Sequence, residues 1–405
     1  MSLILSTVKS SLGSGAKLAL LHAAAFVGLG VSLPFFPVWL ESRQLAPSTI
    51  GLILSIPMLV RIVVTAPLMS LVDRGLSPRR LLAMAYLTVA ASYAVLLIAP
   101  GAAAIAAIVA VAAVAQAPIV PASDLVTLER VRREPRLDYG RLRLWGSVAF
   151  LVSNIVAGHL LATFEPSAVV WILAFLALAA LAVVRVAVPA SARSEDARRS
   201  RMREHSVRWP MGLWLVIAAA ACIQASHAGI YAFGSIHWRA IGFANTTIGY
   251  LWATGVLAEI VVFACFGEVV GRSSTALSFV MVGAGAAILR FAALATEPGL
   301  AITVGLQALH GLSFGATHLG AMAALAALAP PDVRGRAQGT LSSAQALAMA
   351  GATVLSGAAF RAGGPVVFLA MVPVAILGLL LAVAAARTLP QPHREGEGGS
   401  TTLPS

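Results

Sequence analysis

Charge is scarce in this 405-residue chain: Asp, Glu, Lys and Arg together make up 11% of it, against roughly 25% in a soluble domain. With 59% hydrophobic residues and a mean hydropathy of +0.89, that scarcity excludes an ordinary soluble globular protein. Cysteine occurs only at Cys222 and Cys265, both inside apolar runs, which excludes a disulfide framework and a thiolate metal cluster. No nucleophile–base pair, metal-ligand cluster or phosphate loop is in view, and the loops are too short to build one. Enzymatic activity, a cofactor and a bound metal are therefore not expected. Lysine is confined to Lys9 and Lys17, and aromatics reach only 7%, so aromatic stacking on a ligand is permitted but not dictated.

What the chain does have is twelve apolar runs, the first beginning near Leu18 and the last near Val366. Each is long enough to cross a bilayer, which takes roughly 20 residues. The lipid bilayer is thus the first partner. With the N-terminus placed in the cytoplasm, all but five of the 28 Lys and Arg residues fall in cytoplasmic segments. The exceptions are Arg43, Arg239 and Arg361 outside, and Arg61 and Arg290 within the runs. This is the positive-inside bias, and it predicts both termini in the cytoplasm. It also accounts for the net charge of +12 without nucleic acid as a partner. No convincing cleavage site precedes the first run, so that run is expected to remain as an anchor.

The longest polar interruption, 189–210, is dense in arginine and separates six spans from six. The expected organisation is an all-α membrane protein: an N-terminal half over 1–188, a cytoplasmic linker over 189–210, a C-terminal half over 211–388 and a disordered cytoplasmic tail over 389–405. The cytoplasmic gap after span 2 reads Asp73-Arg74-Gly75-Leu76-Ser77-Pro78-Arg79-Arg80. Asp73 can meet a neighbouring helix end and act with Arg74 as a charge latch that a conformational cycle must break. A weaker echo, Gly267-Glu268 and Gly271-Arg272, lies between spans 8 and 9.

Charge at bilayer depth is costly and marks function by default. Arg61 in span 2 and Glu259 in span 8 each lie about 14 residues from the outer ends of their runs, so they could share one level of a central cavity. A mid-span carboxyl such as Glu259 can hold a proton or pair with a cation as its surroundings change. Arg290 in span 9 sits nearer the outer end, where it could serve the site or snorkel to the surface. In span 10, Gln307, His310, Phe314 and His318 fall on one helix side. Span 7 repeats the offsets with Gln224, His227, Tyr231 and Ser235, and span 5 offers Arg143, Ser147 and Asn154. Asp124 at the cytoplasmic end of span 4 could pair with Arg141 or Arg143. Stripes of this kind suit a hydrated pathway, or inter-helix hydrogen bonds in lipid.

Taken together, Gln307–His318, the Tyr139–Ser147 segment opening span 5, the Trp252–Glu259 run and Arg334–Gly339 resemble the phenylpropionate permease group of the major facilitator superfamily, relatives of lactose permease and nucleoside:proton symporters. The loop after span 2 also resembles that superfamily's signature, with Met69 where the signature has glycine. The resemblance implies a proton-driven secondary transporter of the bacterial cytoplasmic membrane, acting as a monomer on a small-molecule substrate. It implies Glu259 and His310 for proton coupling and Arg61 for an anionic substrate group. Asn154, Gln224, His227, Tyr231, Gln307 and His318 are expected around the substrate, and Asp73, Arg74, Asp124, Arg143 and Arg290 in gating or structure. An aromatic carboxylate such as 3-phenylpropionate is the first choice. Sugars, nucleosides, a proton-antiport exporter and a non-transporting sensor are the alternatives.

Overall fold

The structure is a computed structural model that describes residues 13–189, 209–266, 273–330 and 333–388. Most of the arginine-rich linker, the echo at 267–272 and the tail at 389–405 lie outside the described residues.

Twelve helical spans account for nearly all of it: α1 (Ser14–Ser42), α2 (Pro47–Asp73), α3 (Pro78–Leu96), α4 (Ala102–Arg133), α5 (Tyr139–Thr163), α6 (Ala168–Ala187), α7 (Met211–Ala240), α8 (Asn245–Phe266), α9 (Ser273–Leu294), α10 (Leu300–Leu328), α11 (Arg334–Ala362) and α12 (Val366–Thr388). Eleven are long and apolar enough to cross a membrane. The twelfth, α3, is 19 residues long with Arg79 and Arg80 in its first turn, which lowers its apolarity. In hydrocarbon the backbone must satisfy its own hydrogen bonds, and helices do so within each span. Large apolar side chains such as Val63, Ile98, Trp171 and Phe175 stand exposed on the outside, as lipid contact requires.

Several spans are interrupted, and each interruption has a local cause. Pro118, which has no N–H, divides α4. The loop from α2 to α3 turns through Gly75, whose φ of 105° favours glycine; Ser77 then caps α3 by accepting from Arg80 N at 3.3 Å. α7 breaks at Ser226–His227, where side chains take up the loosened carbonyls: Ser226 Oγ donates to Ile223 O at 2.6 Å and His227 Nδ1 lies 3.1 Å from the same oxygen. In α10 the backbone widens into a π turn over Gly311–Ala316, a feature frequent at functional sites.

Within the first six helices α1 packs on α5 and α6, and α3 on α4 and α6; within the second six α7 packs on α11 and α12, and α9 on α10 and α12. The two groups meet chiefly through α2 against α11 and α5 against α8. Both seams are closest at the end of the bundle opposite the termini. A Cβ on Gly357 would lie 2.7 Å from Pro47 O, and one on Gly51 2.8 Å from Thr353 O. Across the other seam, a Cβ on Gly249 would lie 2.5 Å from Asn154 O, and one on Gly158 2.7 Å from Asn245 O. Asn245 Nδ2 donates to Leu161 O at 2.6 Å. At the same end Glu41 of α1 faces Arg239 of α7 at 3.8 Å.

Candidate functional site

Between the two groups of six lies a cavity of about 360 Å³, within the usual range for small-ligand pockets. The first six helices contribute Phe26 from α1 and Arg143, Ser147 and Phe150 from α5. The second six contribute Tyr231 from α7, Trp252, Glu259 and Phe263 from α8, Arg290 from α9, and Gln307, His310 and Phe314 from α10. Aromatic faces therefore line both sides, and ionisable groups stand among them.

Arg290 organises the polar wall. It is 1% exposed, so it does not snorkel. Its Nη2 donates to Gln307 Oε1 at 2.5 Å, and Gln307 Nε2 donates in turn to Leu251 O at 3.0 Å. Its Nη1 reaches His310 Nδ1 at 3.1 Å and Ser313 Oγ at 3.4 Å. A guanidinium can only donate, so His310 Nδ1 must be the bare nitrogen, and the ring proton belongs on Nε2. That nitrogen faces Glu259 Oε2 at 3.9 Å, just beyond hydrogen-bond reach. Ser313, accepting from Arg290, is free to donate to His227 Nε2 at 2.9 Å; His227 Nδ1 then donates to the carbonyls of Ile223 and Gln224. Arg290 thus fixes the tautomer of His310 and the backbone carbonyls fix that of His227, the two ring centres being 5.3 Å apart. Close approach of α8 and α10 makes this possible: a Cβ on Gly311 would lie 2.5 Å from Ala258 O, and one on Gly255 3.4 Å from the His310 ring.

On the opposite wall, Arg143 lies with its guanidinium carbon 4.0 Å from the Phe26 ring centre. Asp138 caps the start of α5 by accepting from Arg141 N at 2.7 Å, and Arg143 follows at the start of the second turn. Its Nε is 4.0 Å from Asp124 Oδ1, which also accepts from the Tyr139 hydroxyl at 3.0 Å. Of the two arginines expected near Asp124, Arg143 is the one within ion-pair range.

The expected site residues divide accordingly. Glu259, His310, Arg290, Gln307, Tyr231 and Arg143 line one cavity. His227 stands behind it, joined through Ser313. His318 extends the span 10 stripe beyond it, with Phe314 stacked between His310 at 5.2 Å and His318 at 6.4 Å. Gln224 donates to Phe314 O at 3.3 Å and braces α10. Asn154 is fully buried at the α5–α8 seam, and neither side-chain atom has a hydrogen-bond partner among the described residues. Arg61 is exposed on α2 and is not among the residues that line this cavity. Asp73 and Arg74 are exposed and make no ion pair among the described residues. Ser313 was not singled out by sequence, although its offset of three from His310 puts it on the adjoining face.

A family model described as MFS_1-like matches residues 16–370, nearly the whole helical bundle. The chain belongs to the MFS_1-like family. This MFS_1-like chain is also 31% identical over 379 residues to a probable 3-phenylpropionic acid transporter of Escherichia coli (strain K12), covering 90% of this chain and 96% of that one. It is 26% identical to an uncharacterized transporter, YwbF, of Bacillus subtilis (strain 168), with 72% of each chain covered. Among solved structures, the nucleoside transporter NupG superposes with a TM-score of 0.78 at 15% identity, covering 93% of this chain and 99% of that one. At that identity the likeness carries the fold alone. The protein is a multi-pass membrane transporter of the major facilitator type.

Proposed function

We propose that this transporter carries out proton-coupled uptake of a small aromatic carboxylate such as 3-phenylpropionate across the bacterial cytoplasmic membrane, with both termini inside and the monomer as the working unit. The observation that carries the reading is a single cavity holding the Arg143 guanidinium beside a ring of aromatic faces, with Glu259 opposite. Guanidinium binds carboxylate through a charge-assisted fork. Phe26, Phe150, Trp252, Phe263 and Phe314 suit an aryl group. The relationship to a probable 3-phenylpropionic acid transporter supports the same substrate class.

In this scheme Glu259 carries the proton. His310 is a poor carrier of a second proton, since a proton on Nδ1 would point at the Arg290 guanidinium. Its Nε2–H instead steadies the Glu259 carboxylate when the proton has left. Arg143 takes over the substrate role expected of Arg61. With the termini inside, the sealed end faces outward, and substrate and proton leave together on the cytoplasmic side before the helix groups rock back.

The test is external pH in de-energised membrane vesicles on addition of 3-phenylpropionate. Alkalinisation is expected. Acidification would replace uptake with antiport and export. Silence to aromatic acids with a response to sugars or nucleosides would move the substrate class, and silence to all of them would leave a non-transporting sensor.

A further inference from the structure

A second buried polar cluster lies in the first six helices, toward the end that carries the termini. His22 of α1 is wholly buried. Its Nε2 is 3.0 Å from Thr127 Oγ1 of α4, and the Thr127 hydroxyl donates to Ser123 O at 2.9 Å. A hydroxyl has one proton to give, so Thr127 accepts from His22, and His22 Nδ1 is left a bare lone pair. That nitrogen has no hydrogen-bond partner among the described residues. It faces Asp124 Oδ1 at 3.9 Å. Two electron-rich atoms confront each other, the nitrogen wholly buried and the carboxyl partly exposed, and a single proton on the carboxyl would let the pair close into an O–H···N bond. The groups that face this pair are Thr127 from α4 and Tyr139 and Arg143 from α5.

Arg143 ties this cluster to the cavity. It neutralises Asp124 from 4.0 Å while its guanidinium borders the substrate space against Phe26. A bound carboxylate competes for the same cation. Once the substrate engages it, Asp124 is left with less compensating charge beside a histidine that can accept a hydrogen bond.

We infer that Asp124 and His22 form a second proton-binding site, filled when an anionic substrate takes Arg143. The proton arrives from water, settles on an Asp124 carboxyl oxygen and is donated towards His22 Nδ1; no other bond changes. This rests on the reading of the cavity as a carboxylate site. It adds a consequence that the reading lacks. One carboxylate entering with one proton on Glu259 moves no net charge, whereas a second proton on Asp124 makes each turnover carry one positive charge inward.

The experiment measures 3-phenylpropionate uptake into proteoliposomes under a potassium diffusion potential with no pH difference. For one net charge, an inside-negative potential of about 60 mV should raise steady-state accumulation about tenfold. His22→Leu removes the facing lone pair together with the donor to Thr127. It should lose the voltage response while still accumulating substrate under a pH gradient, and Asp124→Asn should lose the same response. Wild-type accumulation that follows the pH gradient but ignores voltage would overturn this inference and leave the carboxylate reading intact. So would a His22→Leu protein as voltage-sensitive as wild type, or one that loses both responses together while folded. No uptake of 3-phenylpropionate under either gradient would overturn the carboxylate reading first, and this inference with it.

Discussion

At the scale of single residues, the two cavity charges with the most to lose are Glu259 and Arg143. Glu259→Gln keeps the shape and removes the titrating proton. Uphill accumulation should disappear while exchange of labelled for unlabelled substrate across the membrane persists; loss of both in a folded protein would count against a coupling role. Arg143→Gln removes a charge-assisted contact worth about 1.5–3 kcal/mol, so the KM for an aromatic carboxylate should rise roughly tenfold to a hundredfold. Competition by the corresponding neutral alcohol should change little. Equal weakening of acid and alcohol would mean that Arg143 shapes the cavity rather than binding the anion.

At the scale of elements, α5 and α8 carry the opposing tasks of sealing and opening. Asn154 is buried in their seam with its amide unbonded, and leaving a polar group in that condition costs about 1–3 kcal/mol. Parting of the seam would give the amide water, so Asn154 biases the bundle against staying shut at this end. Asn154→Leu removes the penalty at similar volume. Its expected effect is a more persistent seal and slower turnover, read as reduced labelling by an impermeant thiol reagent of a cysteine placed at Ile248, which is buried next to Gly249 of the seam. Faster labelling would mean that the seam holds through Asn154. Here the limits of the sequence are plain. Hydropathy located the spans because lipid demands long apolar helices, and the offsets in span 10 found His310, Phe314 and His318 because a helix repeats reliably. The same offsets grouped Asn154 with Arg143 and Ser147, yet α5 turns Asn154 into the seam and the other two into the cavity. In a membrane the lipid face and the packed face are both apolar, so periodicity does not say which side of a helix meets the cavity. That is also why Arg290, near a helix end, does not stand out in the sequence as the hub it is.

At the scale of the whole molecule, the groups of six meet near one end, through two glycine seams and the Glu41–Arg239 pair. If the cycle requires that end to part, a covalent link there must stop it. Glu41→Cys with Arg239→Cys should transport when reduced and stall when oxidised, with activity restored by a reducing agent. Undiminished transport with the crosslink complete would show that the cycle proceeds without opening at this end. Ion pairs exposed to solvent contribute little to stability, so either single cysteine replacement should leave folding intact.

The seams also bear on how this protein tolerates change. At Gly51, Gly158, Gly249 and Gly357 one backbone rests on another with no room for a methyl group. A survey of every substitution along the chain would therefore return these four beside Glu259 and Arg143 among the positions that accept nothing larger, though none of the four lines the cavity. Sorting such a survey by loss of transport alone would credit them with recognising a ligand. Their intolerance instead traces the surface along which the two groups of helices must close, and it would be the same whatever the cargo.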